Sequence, residues 1–187
     1  KLNFDSMIAK RKQIMDKIRA GYKRITQKDN VEFIEGFATF KDSTTVLIDN
    51  VEYTADKFVL ATGANSRKFP GYKDDDSRYL ISDNIFELKQ MPKSIAIVGG
   101  GPVGVEFATF FHEFGVKVTM IDLASSFLNF YEADLGQYLI SVYRRQGIDV
   151  HLETVIESID DSSEELCLKL KNGSELAVDC VLSAIGV

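Results

Sequence analysis

An α/β fold built on a parallel sheet is what this chain of 187 residues predicts, and three observations predict it. Ser94-Ile95-Ala96-Ile97-Val98 is an unbroken apolar run, the mark of a strand buried on both faces. It passes directly into Gly99-Gly100-Gly101-Pro102-Val103-Gly104 and then into the helical pattern of Val105-Glu106-Phe107-Ala108-Thr109-Phe110-Phe111. A second apolar run, Val116-Lys117-Val118-Thr119-Met120-Ile121, follows and ends in Asp122. Strand, glycine turn, helix and second strand make a β-α-β unit, which puts the two strands side by side and parallel.

The remaining elements follow in chain order. Asn3 to about Thr26 predicts an amphipathic helix, with Phe4, Met7, Ile8, Met15, Ile18, Tyr22 and Ile25 largely at three- and four-residue spacings and Asn3 or Asp5 as its cap. Its many Lys and Arg side chains fit a basic solvated face on a helix docked to a core better than a membrane-surface helix, because the whole chain is acidic. Val31–Ile34, Phe37–Phe40, Thr45–Ile48 and Val51–Ala55 read as short strands of an antiparallel meander, punctuated by Gly36, Lys41-Asp42-Ser43 and Asp49-Asn50. Lys57-Phe58-Val59-Leu60-Ala61 then runs into Thr62-Gly63, the pattern of a buried parallel strand that stops at a ligand crevice. Ala64 to Met91 is loop-rich, with Ser82-Asp83-Asn84 capping a short helix, and Pro92 marks a domain junction, so the domains expected are 1–91 and 92–187.

Beyond Asp122 a helix is expected over about Glu132 to Gln146, with Leu135, Leu139, Val142 and Tyr143 inward and Gly147 ending it. Ile148–Leu152 is the next strand. Val155–Asp160, Leu166–Leu170 and Glu175–Val178 form a further β-meander turned at Asn172-Gly173, and Cys180–Gly186 is a final buried strand.

Composition narrows the classes. Acidic side chains number 28 against 22 basic, a net charge of −6 that offers no nucleic-acid footprint. No apolar run approaches the roughly 20 residues of a spanning helix. The opening Lys1-Leu2-Asn3-Phe4 lacks signal-peptide organisation and an initiator Met, as for a chain that begins inside a longer protein. The two cysteines, Cys167 and Cys180, are too few for a disulfide scaffold; both read as small buried hydrophobes in a reducing, cytoplasmic compartment.

The chemistry concentrates at the glycine turn. Gly-x-Gly-x-x-Gly after a strand and at the head of a helix serves a pyrophosphate: Gly99 makes the tight bend, Gly101 lets the backbone approach the phosphates, and Gly104 lets the helix pack close to the strand. Gly100 and Val103 complete the turn, and Pro102 fits the first helical position, where a missing N–H costs little. The aligned amides and helix dipole favour the anion. Asp122, at the tip of the neighbouring strand, is placed to accept both ribose hydroxyls of an adenosine. A carboxylate there repels a 2′-phosphate, and no Lys or Arg lies between Leu123 and Ala133, so NAD(H) is expected over NADP(H). Residues 92–187 are thus a Rossmann-like NAD-binding domain. No metal site, P-loop or nucleophile elbow has its residues here, and His112 and His151 read as structural or surface side chains.

In the order of these motifs the chain resembles the central part of the pyridine nucleotide–disulfide oxidoreductases, the family of dihydrolipoamide dehydrogenase, glutathione reductase and the soluble pyridine nucleotide transhydrogenase. The resemblance covers essentially the whole chain. Lys57–Gly63 is similar to the strand ending in Ala-Thr-Gly that lies beside FAD, which implies Thr62 and Gly63 as FAD-binding. Met91-Pro92-Lys93-Ser94 looks like the entry to the family's NAD domain, and Val181–Gly186 looks like its last strand, which adds Gly186 to the NAD site. Glu106, two residues after the third glycine, would face the flavin–nicotinamide site in a supporting catalytic role. The implied reaction is hydride transfer between NAD(H) and FAD in a cytoplasmic homodimer.

The departures define what is held here. The family's first FAD fingerprint, its C-x4-C redox pair, the later Gly-Asp motif and the C-terminal dimerisation domain are absent from the sequence. The resemblance therefore implies an incomplete FAD-domain segment (a helix, a β-meander and the Ala-Thr-Gly strand) followed by the NAD domain, inactive as an oxidoreductase by itself. Two other classes share the glycine turn: type II NADH dehydrogenases or ferredoxin-reductase-like flavoproteins, and a non-catalytic NAD(H)-sensing module.

Overall fold

The computed structural model describes residues 3–28 and 30–187; Lys1 and Leu2, part of the expected signal-free start, lie outside the described residues. The chain divides into two compact units, Asp5–Gly63 forming one and Ala64–Val187 the body of the other.

In the first unit, α1 spans Phe4–Ile25, and β1 (Ala38–Phe40), β2 (Thr45–Ile48) and β3 (Val51–Thr54) form an antiparallel sheet in the order β1-β2-β3. The β2–β3 turn places Asp49 and Asn50 at φ 49° and 66°, the left-handed pair that a tight hairpin demands. Two expectations fail here. No residue of α1 is buried, so no side chain of the helix is packed away in a core. Neither Val31–Ile34 nor Lys57–Ala61 forms a strand. An extended segment becomes a strand only by exchanging ladder hydrogen bonds with a neighbour, and neither segment pairs with a described strand. Phe58 packs edge-on to Phe40 at 5.0 Å, while Val59 is 92% and Leu60 73% exposed.

The second unit holds the α/β fold. Its strands β4 (Tyr79–Ile81), β5 (Ser94–Val98), β6 (Lys117–Ile121) and β7 (Asp149–His151), with β11 (Cys180–Ser183), make a five-stranded sheet in the order β4-β11-β5-β6-β7, parallel throughout. Between them lie α2 (Pro102–Glu113), α3 (Ala133–Gln146) and the antiparallel meander β8 (Ile156–Asp160), β9 (Leu166–Leu170) and β10 (Glu175–Val178). The unit begins near residue 64, not Pro92, because Tyr79–Ile81 pairs with Val181–Ser183 as the edge strand of the same sheet.

Alternation along β5 builds the layers. Ile95 and Ile97 point to one face, where they join Phe111 and Ala108 of α2 and Ile140 and Tyr143 of α3. Ala96 and Val98 point to the other, where Leu166, Leu168 and Leu170 of β9 cover them. Each fully buried Ile or Leu contributes about 1.5–3 kcal/mol relative to exposure, so this three-layer stack is the principal core. Gly147, at φ 87°, ends α3 in the left-handed conformation. At the same amino-terminal edge of the sheet the Asp179 carboxylate accepts from the amides of Lys93 (2.6 Å) and Ser94 (2.9 Å), which fixes where β5 begins. Burial pushes the Cys180 thiol up to about 11, with the neighbouring Asp179 charge adding to the shift. Cys167 corrects the expectation of burial: it alternates with the inward Leu166 and Leu168 on β9 and faces solvent.

Arg78, before β4, ties the sheet edge to the β8–β9 connection. Its guanidinium pairs with Asp76 (2.7 Å) and donates to the carbonyls of Asp161 (3.0 Å) and Ser163 (2.6 Å). The hydrogen bond from Arg78 holds the Asp76 carboxyl below the usual carboxylate range. A lowered folded pKa adds stability above the unfolded value, near pH 4, and loses it as pH falls through the folded value. Arg78→Ala should cost about 1–3 kcal/mol by urea unfolding at neutral pH, since the carbonyls of Asp161, Ser163 and Glu164 and the Asp76 carboxylate lose their donor. It should also flatten the loss of stability below about pH 4; an acid titration as steep as that of the unaltered chain would contradict the pairing.

Candidate functional site

The sheet's carboxyl edge is shaped by one turn. After Val98 the chain bends at Gly99, whose φ of +110° lies where only glycine is comfortable. A Cβ at Gly99 would stand 2.4 Å from the Ala184 carbonyl oxygen. The Gly99 amide donates to the Ile121 carbonyl (2.8 Å), joining the turn to the tip of β6. Gly104, in the first turn of α2, comes closer still: a Cβ there would be 1.9 Å from the Gly99 oxygen. Gly101 differs. Its extended backbone suits any residue, and a Cβ would meet nothing within 4 Å. The fold requires glycine at 99 and 104, whereas at Gly101 a bare backbone borders open space.

Asp122 follows β6 directly. One of its oxygens accepts from the Gly100 amide, and the other from the Ala124 amide at 2.6 Å. A carboxylate has about four lone-pair sites, so the two amides orient the group and leave it capacity for two further donors. The Gly100 oxygen in turn accepts from Leu128 N (2.9 Å). Tyr143 of α3 donates to the Val105 carbonyl (2.7 Å) and bonds Thr109, which locks α3 onto the start of α2; burial raises its phenol pKa.

These pieces surround a cavity of about 530 Å³, within the usual range of small-molecule sites. Gly99, Gly101, Pro102, Val103, Asp122 and Gly186 all border it. Among the described residues that line it, Asp122 alone is charged, and the rest of the wall is largely apolar. The first-turn amides of α2 have no carbonyl within their own helix, so the site offers N–H donors and the positive end of a helix dipole to an anion. Gly101's open space and Asp122's spare lone pairs fit a dinucleotide's diphosphate and ribose.

Not every expected residue borders the cavity. Gly100 is buried behind the turn, where its Cβ would strike the Phe127 ring at 2.0 Å, and Gly104 faces β5. Glu106 is exposed on α2 outside the lining. Thr62 and Gly63 belong to the other unit, in irregular backbone with Gly63 at φ 74°. The amides of Ala124 and Leu128, which hold Asp122 and the turn, left no mark in the sequence because they act through the main chain.

The profile of the pyridine nucleotide-disulphide oxidoreductases matches residues 2–187. A dihydrolipoyl dehydrogenase of Chlamydia trachomatis is 30% identical over 190 residues, covering 99% of this chain and 41% of the relative. A soluble pyridine nucleotide transhydrogenase of Aliivibrio fischeri is 29% identical, covering 98% of this chain and 40% of the relative. Among solved structures, the HOCl-induced flavoprotein disulfide reductase RclA from Escherichia coli superposes with a TM-score of 0.84 at 28% identity, over 96% of this chain and 42% of that one. The chain thus spans about two fifths of the length of the relatives it matches.

The two glycines should separate in experiment. Gly104→Ala is expected to cost about 1–3 kcal/mol or more in urea unfolding, because the added methyl meets fixed backbone. Gly101→Ala should change stability by less than about 0.5 kcal/mol, the entropic gain at a compatible backbone offsetting a poorer N-cap residue. Equal losses for both would contradict the geometry of the turn.

Proposed function

The chain belongs to the pyridine nucleotide-disulphide oxidoreductase family, whose members use FAD and NAD(P)H, and from that membership we propose that its parallel-sheet unit is the nicotinamide-nucleotide holder of such an enzyme. One observation carries the proposal. The open face of Gly101, the start of α2 and the oriented carboxylate of Asp122 meet in a single cavity at the carboxyl edge of a parallel sheet, the place where such folds take their ligands.

The diphosphate would lie against Gly101 and the amides that open α2, with Pro102 and Val103 at its side, and the ribose hydroxyls would donate to Asp122. Gly99, Gly100 and Gly104 shape the turn, and Gly186 borders its far side. Asp122 selects NAD(H): a 2′-phosphate carries further negative charge, and no lining side chain among the described residues is basic. The reaction proposed for the whole protein is hydride transfer between NAD(H) and FAD. Glu106 is proposed as a supporting carboxylate on the nicotinamide side, and Thr62 and Gly63 as residues against FAD. A homodimer and a cytoplasmic location belong to the same proposal and rest on the family resemblance. Among the described residues, no helix is long and apolar enough to cross a membrane.

Calorimetric titration of the chain tests the proposal. NADH should give saturable binding at one site, and NADPH should bind at least about tenfold more weakly, with Asp122→Asn narrowing that gap. A flat NADH titration would overturn the site, and equal affinities for NADH and NADPH would overturn the role given to Asp122.

A further inference from the structure

The loop between β6 and α3 has a feature that the glycine turn and Asp122 leave unused. Phe130 is 91% exposed, and Leu123, beside Asp122, is 73% exposed; both residues border the cavity. An exposed phenyl ring on an ordinary loop needs no explanation, but this loop is not free to place it elsewhere. Phe127 is buried in the core, the Leu128 amide donates to the Gly100 carbonyl (2.9 Å), and the Tyr131 amide donates back to the Leu128 carbonyl (2.8 Å). Leu128 itself sits at φ 51°, a left-handed conformation unfavourable for a branched side chain. Strain of this kind persists only where surrounding contacts impose it, and it gathers at ligand clamps. The contacts that impose it here also fasten the base of the loop to the glycine turn, beside the cavity that Phe130 borders.

We propose that Phe130 caps the adenine end of the nucleotide, its ring stacking on the base against Leu123; the inference rests on the nucleotide-binding role proposed above. Once the diphosphate lies at Gly101 and the ribose at Asp122, the base carried on that ribose leaves the carboxylate on the Leu123 side, at the rim where Phe130 stands. A planar base there withdraws two large apolar side chains from water. It also gains an aromatic stack, an interaction blind to the hydrogen-bonding edge of the base and well suited to a lining with so few polar groups.

The exposure of Phe130 makes its replacement harmless to folding, which circular dichroism can verify. In NADH titrations of the 187-residue chain, Phe130→Ala should weaken binding about tenfold, the scale of one base–aromatic stack, and Phe130→Trp should keep the affinity within about threefold. Unaltered affinity in Phe130→Ala would overturn the cap and leave the nucleotide site standing. Equal weakening in Phe130→Ala and Phe130→Trp would also overturn it, because a larger aromatic preserves a stack. Absence of NADH binding to the unaltered chain would overturn the nucleotide site, and the cap with it.

Discussion

Helix α2 starts as near to strand β5 as backbone atoms allow, since a single methyl group at Gly104 would land 1.9 Å from the Gly99 carbonyl oxygen. The rest of the crevice depends on that approach. It sets the first-turn amides of α2 at the sheet's edge and not a side chain's width above it. It also requires the chain to leave β5 through a positive φ at Gly99. The Gly99 amide then bonds to Ile121, the Gly100 amide to Asp122 and the Gly100 carbonyl to Leu128, so the turn, the acid-bearing tip of β6 and the following loop are held as one body. Positioning of this kind uses main-chain groups that cannot be altered one at a time by mutation.

What was legible in the sequence and what was not divides along a physical line. The strand Ser94–Val98, the helix after it, the acid at position 122 and the meander before Cys180 are written in side-chain periodicity and glycine placement, and the structure has all of them. Position 79–81 gave no such signal: three residues joining a sheet edge carry too little pattern, and only their pairing with β11 reveals them. Lys57–Ala61 shows the opposite failure. Its apolar run has the composition of a buried strand, but a strand is a relation between segments, and no described segment supplies the partner. The loop of residues 123–132 was likewise opaque, because its grip on Asp122 and the glycine turn passes through amides of Ala124 and Leu128 that any residue type would offer.

The unit of Asp5–Gly63 stands in contrast to the parallel-sheet unit. Its helix buries no residue and its sheet is three short strands, so little apolar surface is removed from water on folding it. The five-stranded sheet of the other unit is covered on one face by α2 and α3 and on the other by β8–β10. Precise placement of a turn proposed to hold a ligand needs such a rigid support, and the cavity accordingly lies at the edge of the parallel-sheet unit.

The central claim is that backbone amides at the glycine turn and the carboxylate of Asp122 hold a pyridine dinucleotide. The most direct measurement is the change in backbone amide resonances of the 15N-labelled chain as NADH is added. The largest shifts should fall on Gly101, Val103 and Ala124, the last through its bond to Asp122, with Lys93 and Asp179 at the far end of the sheet unmoved. Saturable NADH binding whose shifts lie away from the turn, or a spectrum untouched by NADH, would contradict it.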